Sequence, residues 1–114
     1  MELSIRTRDI ELTDALRNQI ERRLAFALDT FGDHVQDGLV YLVDLNGPKG
    51  GVDKLAQITV RVSRIGDLAV RETGTTMPAA LNRAARRLKY RLGEALRAEE
   101  TLSRDSIRTG QAAA

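Results

Sequence analysis

The residues that could carry chemistry in this chain are few. His34 is the only histidine, and there is no cysteine. A thiolate zinc site and a cysteine nucleophile are therefore excluded, and one histidine in a turn supports neither a shared metal nor a Ser–His–Asp set. The adjacent acids Glu99 and Glu100 sit at the end of a helical pattern, and they read as a solvated face. The string Asn46-Gly47-Pro48-Lys49-Gly50-Gly51-Val52-Asp53-Lys54 has the glycine and lysine content of a phosphate cradle. A P-loop, however, needs Gly-Lys-Ser/Thr ahead of a helix whose N-terminal amides meet the phosphates. No such tripeptide occurs, and a strand pattern follows. The stretch reads as a hairpin connection, with Lys49 and Lys54 as auxiliary contacts for an RNA backbone. The expectation is a protein without catalytic residues, cofactor or metal.

Charge gives a stronger signal. The chain carries 18 basic and 16 acidic residues, a net charge of +2. Between Arg83 and Arg97 lie Arg83, Arg86, Arg87, Lys89, Arg91 and Arg97 against Glu94 alone. That segment is net +5, which leaves −3 for the rest of the chain. Like charges at i,i+4, such as Arg83–Arg87 and Arg87–Arg91, cost a helix some stability. A basic stripe of this kind either stays solvated or meets phosphate, and arginine's planar fork suits phosphate well. Tyr90 sits inside the stripe, where it could stack on a base or ribose or pack at the rim.

These residues need elements to hold them. Leu3 and Ile5 alternate with Glu2, Ser4 and Arg6 as a half-buried strand. Thr13 is placed to cap a helix whose apolar stripe is Leu16, Ile20, Leu24, Ala27, Leu28 and Phe31, with Gly32 as its stop. Leu39 to Leu45 is an apolar strand. Ala56, Ile58, Val60 and Val62 alternate with Gln57, Thr59, Arg61 and Ser63, and Ile65 to Asp67 signals a tight turn into a further strand with Leu68 and Val70 inward. A second helix starts near Thr76, with Pro78 in its first turn and a stripe of Leu81, Ala84, Ala85, Leu88, Leu92, Ala95 and Leu96. The pattern fades after Ala98.

The expected fold is α+β, in the order β-α-β-β-β-α, with a four-stranded, mainly antiparallel sheet and two helices on one face. Its outer face would be wet, bearing Arg6, Gln57, Thr59, Arg61 and Arg71, with Leu39, Tyr41 and Val43 as an apolar patch. Residues 1–98 read as a single domain and residues 99–114 as a flexible C-terminal tail. The N-terminus lacks an apolar signal region, and no apolar run approaches the roughly 20 residues of a membrane span, so the expected location is cytoplasmic.

Three places in the sequence resemble one family, the ribosome hibernation-promoting factors and ribosome-associated inhibitors, also known as sigma-54 modulation proteins. Ile10, Leu12, Thr13, Asp14, Ala15, Leu16 and Arg17 resemble the family's entry to its first helix. The β-α-β-β-β-α order is similar to its fold, itself similar to a double-stranded-RNA-binding domain. Ala79, Ala80 and Leu81, then Arg87 and Leu88, resemble its second helix. The resemblance implies a bacterial translation regulator of the stress response. Such a factor binds small-subunit ribosomal RNA in the decoding channel and silences the ribosome by steric and electrostatic means. It implies RNA contacts at Arg83, Arg86, Arg87, Lys89 and Arg91, with Arg61, Arg64 and Arg71 on the strands as further candidates. It also implies a short form without the dimerisation domain of longer members, and no membrane or small-molecule partner. Tyr90 stands where the family often has arginine, Pro78 where it often has an aromatic, and Gly93 to Leu102 replaces a basic extension. These departures imply weaker phosphate contact. The other reading is a non-catalytic protein- or RNA-binding module on the same scaffold that does not silence ribosomes.

Overall fold

The structure is a computed structural model that describes residues 2–45 and 53–113, with side chains to residue 102. Strand β1 (Glu2–Arg8) follows the expected alternation, with Leu3, Ile5 and Thr7 turned inward. Helix α1 (Asp14–Leu28) opens on Thr13, whose Oγ1 accepts the Leu16 amide at 3.1 Å. This satisfies one of the donors that a helix start leaves unpaired. The α-helix stops earlier than its apolar stripe implies. A 3-10 turn (Asp29–His34) replaces its expected last turn, and Gly32 reverses the chain there at φ 49°. Phe31 still packs on the core from this turn.

Strand β2 (Val35–Asp44) begins four residues before the expected Leu39, and β3 (Lys54–Val62) includes Lys54. They pair antiparallel from Asp44↔Lys54 towards Val35↔Val62, so residues 46–52, which lie outside the described residues, connect the two arms of a hairpin. The turn into β4 (Gly66–Gly74) occupies Ser63 to Ile65, two residues before the expected Ile65–Asp67. Arg64 takes φ 71° there and Gly66 takes φ 96°. Helix α2 (Met77–Ala113) is capped by Thr76, whose Oγ1 accepts the Ala79 amide at 3.2 Å. It runs well past Ala98, where the apolar pattern fades. Residues such as Ala98, Glu99, Glu100 and Leu102 are strong helix formers, so the helix continues without a sheet to pack against.

Among the described residues the sheet order is β1-β2-β3-β4. The β1–β2 pair is parallel, bridged by α1 as a crossover, and the other pairs are antiparallel, which makes the sheet mixed. Directly opposed residues share a face. The row Ile5–Val40–Ile58–Val70 lies on the inner face. Both helices cover that face: Ile20, Leu24 and Leu28 of α1 and Leu81, Leu88 and Leu92 of α2 join the inner rows in one core. Gly74 ends β4 directly beneath the start of α2. A Cβ at this position would stand 2.8 Å from the Ala80 backbone nitrogen, so glycine is what allows the helix to sit this close. No helix among the described residues is long and apolar enough to cross a membrane.

Candidate nucleic-acid interface

The basic residues of α2 follow from helical geometry. Arg83, Arg87 and Arg91 are spaced i,i+4, and Tyr90 lies two turns from Arg83. The inner stripe of Leu81, Leu88 and Leu92 is wholly buried, which fixes the rotation of the helix and turns every one of these cations outward. The exposed arc is wide, and the cations divide between its two flanks.

On one flank, α2 meets the free edge of β4. Arg87 and Arg91 line a groove there with Gln57, Ala69 and Arg71. Arg87 donates from a terminal guanidinium nitrogen to Glu72 Oε1 at 2.9 Å. Arg91 donates to the backbone carbonyl of Ala69 at 3.3 Å, and no carboxylate among the described residues pairs with it. Three guanidinium groups, two from the helix and one from the strand, thus converge on one groove with Glu72 as the opposing acid. On the other flank, Arg86 and Lys89 face α1. They border an apolar groove floored by Ala27 and Ala85. Lys89 Nζ lies 5.3 Å from the centroid of the Phe26 ring, which is itself 77% exposed. Arg83 and Tyr90 stand exposed between the flanks.

The remaining candidates divide by their partners. Lys54 is held between Asp44 and Asp53, at 3.1 Å from each. The hydrogen bond to Asp53 is the main cause that raises its pKa above the ordinary value of 10.5, against a smaller opposing effect of burial. Asp53 is completely buried, so the charge of Lys54 is committed to the fold and is not offered to a ligand. This differs from the expectation of a loop lysine reaching towards RNA. Arg61 is similarly engaged, 3.6 Å from Asp37 and 3.8 Å from Asp67. Arg64, on the β3–β4 turn, borders a different concavity with Phe31, Gly93, Leu96 and Arg97, apart from the Arg71 groove. Lys49 lies outside the described residues. Sequence reasoning missed Glu72. Its signal was its parity: it shares the inward side of β4 with Leu68 and Val70, so it needed a cationic partner on the covering helix. Among the described residues, no group of three or more His, Cys, Asp or Glu side chains could hold a metal ion.

The outer sheet face matches the expected wet face at Arg6, Arg61 and Arg71, which are exposed, and departs from it at one end. The row Arg6–Tyr41–Gln57–Arg71 crosses all four strands, flanked by Ser4–Leu39–Thr59–Ala69 and Arg8–Val43–Leu55–Thr73. Val43 is more covered than expected, at 6% exposure. Its neighbour Leu55, for which the sequence carried no expectation, is covered to 5%, and neither belongs to the core beneath the helices.

The family profile described as sigma 54 modulation protein / S30EA ribosomal protein matches residues 3–98. The fold is similar to the N-terminal domain of Protein Y from Thermus thermophilus, with 28% sequence identity and a TM-score of 0.67 over 80% of this chain and 94% of that one. It is also similar to a ribosomal subunit interface protein from Coxiella burnetii, with 13% identity and a TM-score of 0.69 over 82% of this chain and 96% of that one. No curated protein sequence matches the chain.

Proposed function

The chain belongs to the sigma 54 modulation protein / S30EA ribosomal protein family, and on that premise we propose that it is a ribosome-associated hibernation factor. It binds small-subunit ribosomal RNA in the decoding channel, and residues 1–98 form the binding unit. One observation carries the RNA reading: Arg87 and Arg91 of α2 converge with Arg71 of β4 on a single groove at the edge of the sheet. Arginine forks there match phosphate oxygens bidentately. Arg83 and Tyr90 extend the contact along the crest of the helix, and Arg86 and Lys89 strengthen the positive field from the far flank. The action is steric and electrostatic: the bound domain fills space that messenger and transfer RNA would need.

The test is co-sedimentation with purified small subunits across a salt series. Phosphate contacts predict affinity that falls steeply with salt, and a shallower slope for Arg71→Ala and Arg91→Ala. A chain that never co-sediments, even at low salt, would sink the proposal. The second reading, a binding module without ribosome silencing, is favoured by the Phe26–Lys89 groove. There an exposed aromatic and an apolar floor are turned away from the Arg71 groove. Under that reading Phe26→Ala, and not Arg91→Ala, abolishes partner capture.

A further inference from the structure

The outer face of the sheet carries a pattern that the groove of Arg87 and Arg91 shares only at its Gln57 and Arg71 end. Across the four strands runs the row Arg6–Tyr41–Gln57–Arg71. Its two ends are cationic and exposed, its centre is one aromatic ring beside one amide, and it contains no acid. The acids of this face gather two rows away, where Glu2, Asp37 and Asp67 surround Arg61 and leave that end net negative. Beyond Arg71 the row continues into the groove of Arg87 and Arg91. Three interstrand steps of about 4.8 Å put the two cationic ends roughly 14 Å apart along the sheet. Tyr41 stands one step from the β1 end. It is half-buried, and it belongs to the apolar patch outside the core cluster.

A ring held on a rigid sheet between cations is what an unstacked base needs. The base lies on the ring, and the phosphates on either side meet the guanidinium groups. A paired base inside a duplex does not expose its face to such a ring. The geometry points to the outer sheet face as a platform for unpaired RNA, with Tyr41 stacking on a base, Gln57 beside it for the base edge, and Arg6 and Arg71 on the flanking phosphates. This rests on the reading that the chain binds ribosomal RNA, and it narrows the target to single-stranded segments.

The test uses a fluorescently labelled 12-nucleotide oligouridine and a 16-base-pair RNA duplex, with the full chain and its variants. The platform predicts tighter binding of the single strand. Tyr41→Leu should weaken it by about 5- to 150-fold, the range for losing one stacked base, while Tyr41→Phe stays close to wild type. Unchanged melting temperatures in both variants would show that the fold is intact. The inference is overturned if the duplex binds more tightly, if Tyr41→Leu matches wild type, or if Tyr41→Phe loses as much as Tyr41→Leu. Co-sedimentation with small subunits separates the two readings. If subunits still bind while the oligouridine does not, the platform fails and the ribosome reading stands. If the oligouridine binds through Tyr41 while subunits do not, the platform stands and the ribosome reading fails.

Discussion

Replacing Glu72 by glutamine should tighten RNA binding, because Glu72 restrains one of the groove's cations. The Arg87–Glu72 pair spans 2.9 Å, with the arginine side chain 53% and the glutamate 20% exposed. Pairs this exposed contribute about 0.2–1 kcal/mol, so Glu72→Gln should lower the melting temperature by no more than roughly 4–8 °C. The gain is a guanidinium free to meet a phosphate. Each phosphate contact steepens the fall of log affinity with log salt by about 0.7–0.9. One added contact therefore changes relative affinity about threefold between roughly 50 and 200 mM salt. Among the described residues Arg91 has no acid to release it from, and it makes a long bond to the Ala69 carbonyl. Arg91→Ala should then lose one full contact and flatten the slope by the same about 0.7–0.9. Arg87→Ala should flatten it less, since part of that charge is already neutralised by Glu72. Small-subunit binding by co-sedimentation at four or five salt concentrations gives all of these slopes. Coincident lines for wild type and Glu72→Gln would refute the view that Glu72 competes with phosphate. A larger loss for Arg87→Ala than for Arg91→Ala would refute the ranking of the two arginines.

Three further outcomes follow from packing and charge. Gly74→Ala puts a Cβ 2.8 Å from the Ala80 nitrogen, where only backbone can yield, and should cost about 1–3 kcal/mol in a denaturant melt. Leu88→Ala empties a fully buried site where α2 packs on the sheet and should cost about 2–5 kcal/mol by the same measurement. Lys54→Met leaves the buried Asp53 carboxylate without its cation and should lower the melting temperature at neutral pH. The Lys54 pKa is raised in the folded state, so the stabilisation by its charge is complete below pH 10.5 and is lost as pH rises through the higher folded value. The gap between wild type and Lys54→Met should therefore hold across neutral pH and close only above pH 10.5, as read by melts at a series of pH values.

Much of the fold is legible because its periods are clean. Ile58, Val60 and Val62 alternate with Gln57, Thr59 and Arg61, and the stripe of Leu81, Leu88 and Leu92 fixes which side of α2 faces water. The outer row could be seen in outline for the same reason, since Tyr41, Gln57 and Arg71 all fall on outward positions. What the sequence conceals is register. Arg61 is neutralised by Asp37 from one neighbouring strand and Asp67 from the other, and those meetings depend on how three strands align. Lys54 looks like a loop lysine beside glycines. Only the pairing of Asp44 with Lys54 shows it inside the sheet, beside a buried acid. The division of the α2 cations is hidden too, because the bare helix does not say which flank borders β4 and which borders α1. The α-helix period of α1 likewise carried past Leu28, where Gly32 and the 3-10 turn reverse the chain.

The bond from Arg91 to the Ala69 carbonyl has a consequence for how the molecule behaves towards copies of itself. Ala69 lies on β4, an outer strand of the sheet, and a bare outer strand is a template on which another chain can add. Arg91 occupies one of those acceptors and lays a charged group over it. The side chain proposed to meet phosphate thus also covers an acceptor on which a further strand would pair. Its removal would leave the strand open to accretion, so an Arg91→Ala protein should be handled dilute, and its losses in binding separated from losses to aggregation.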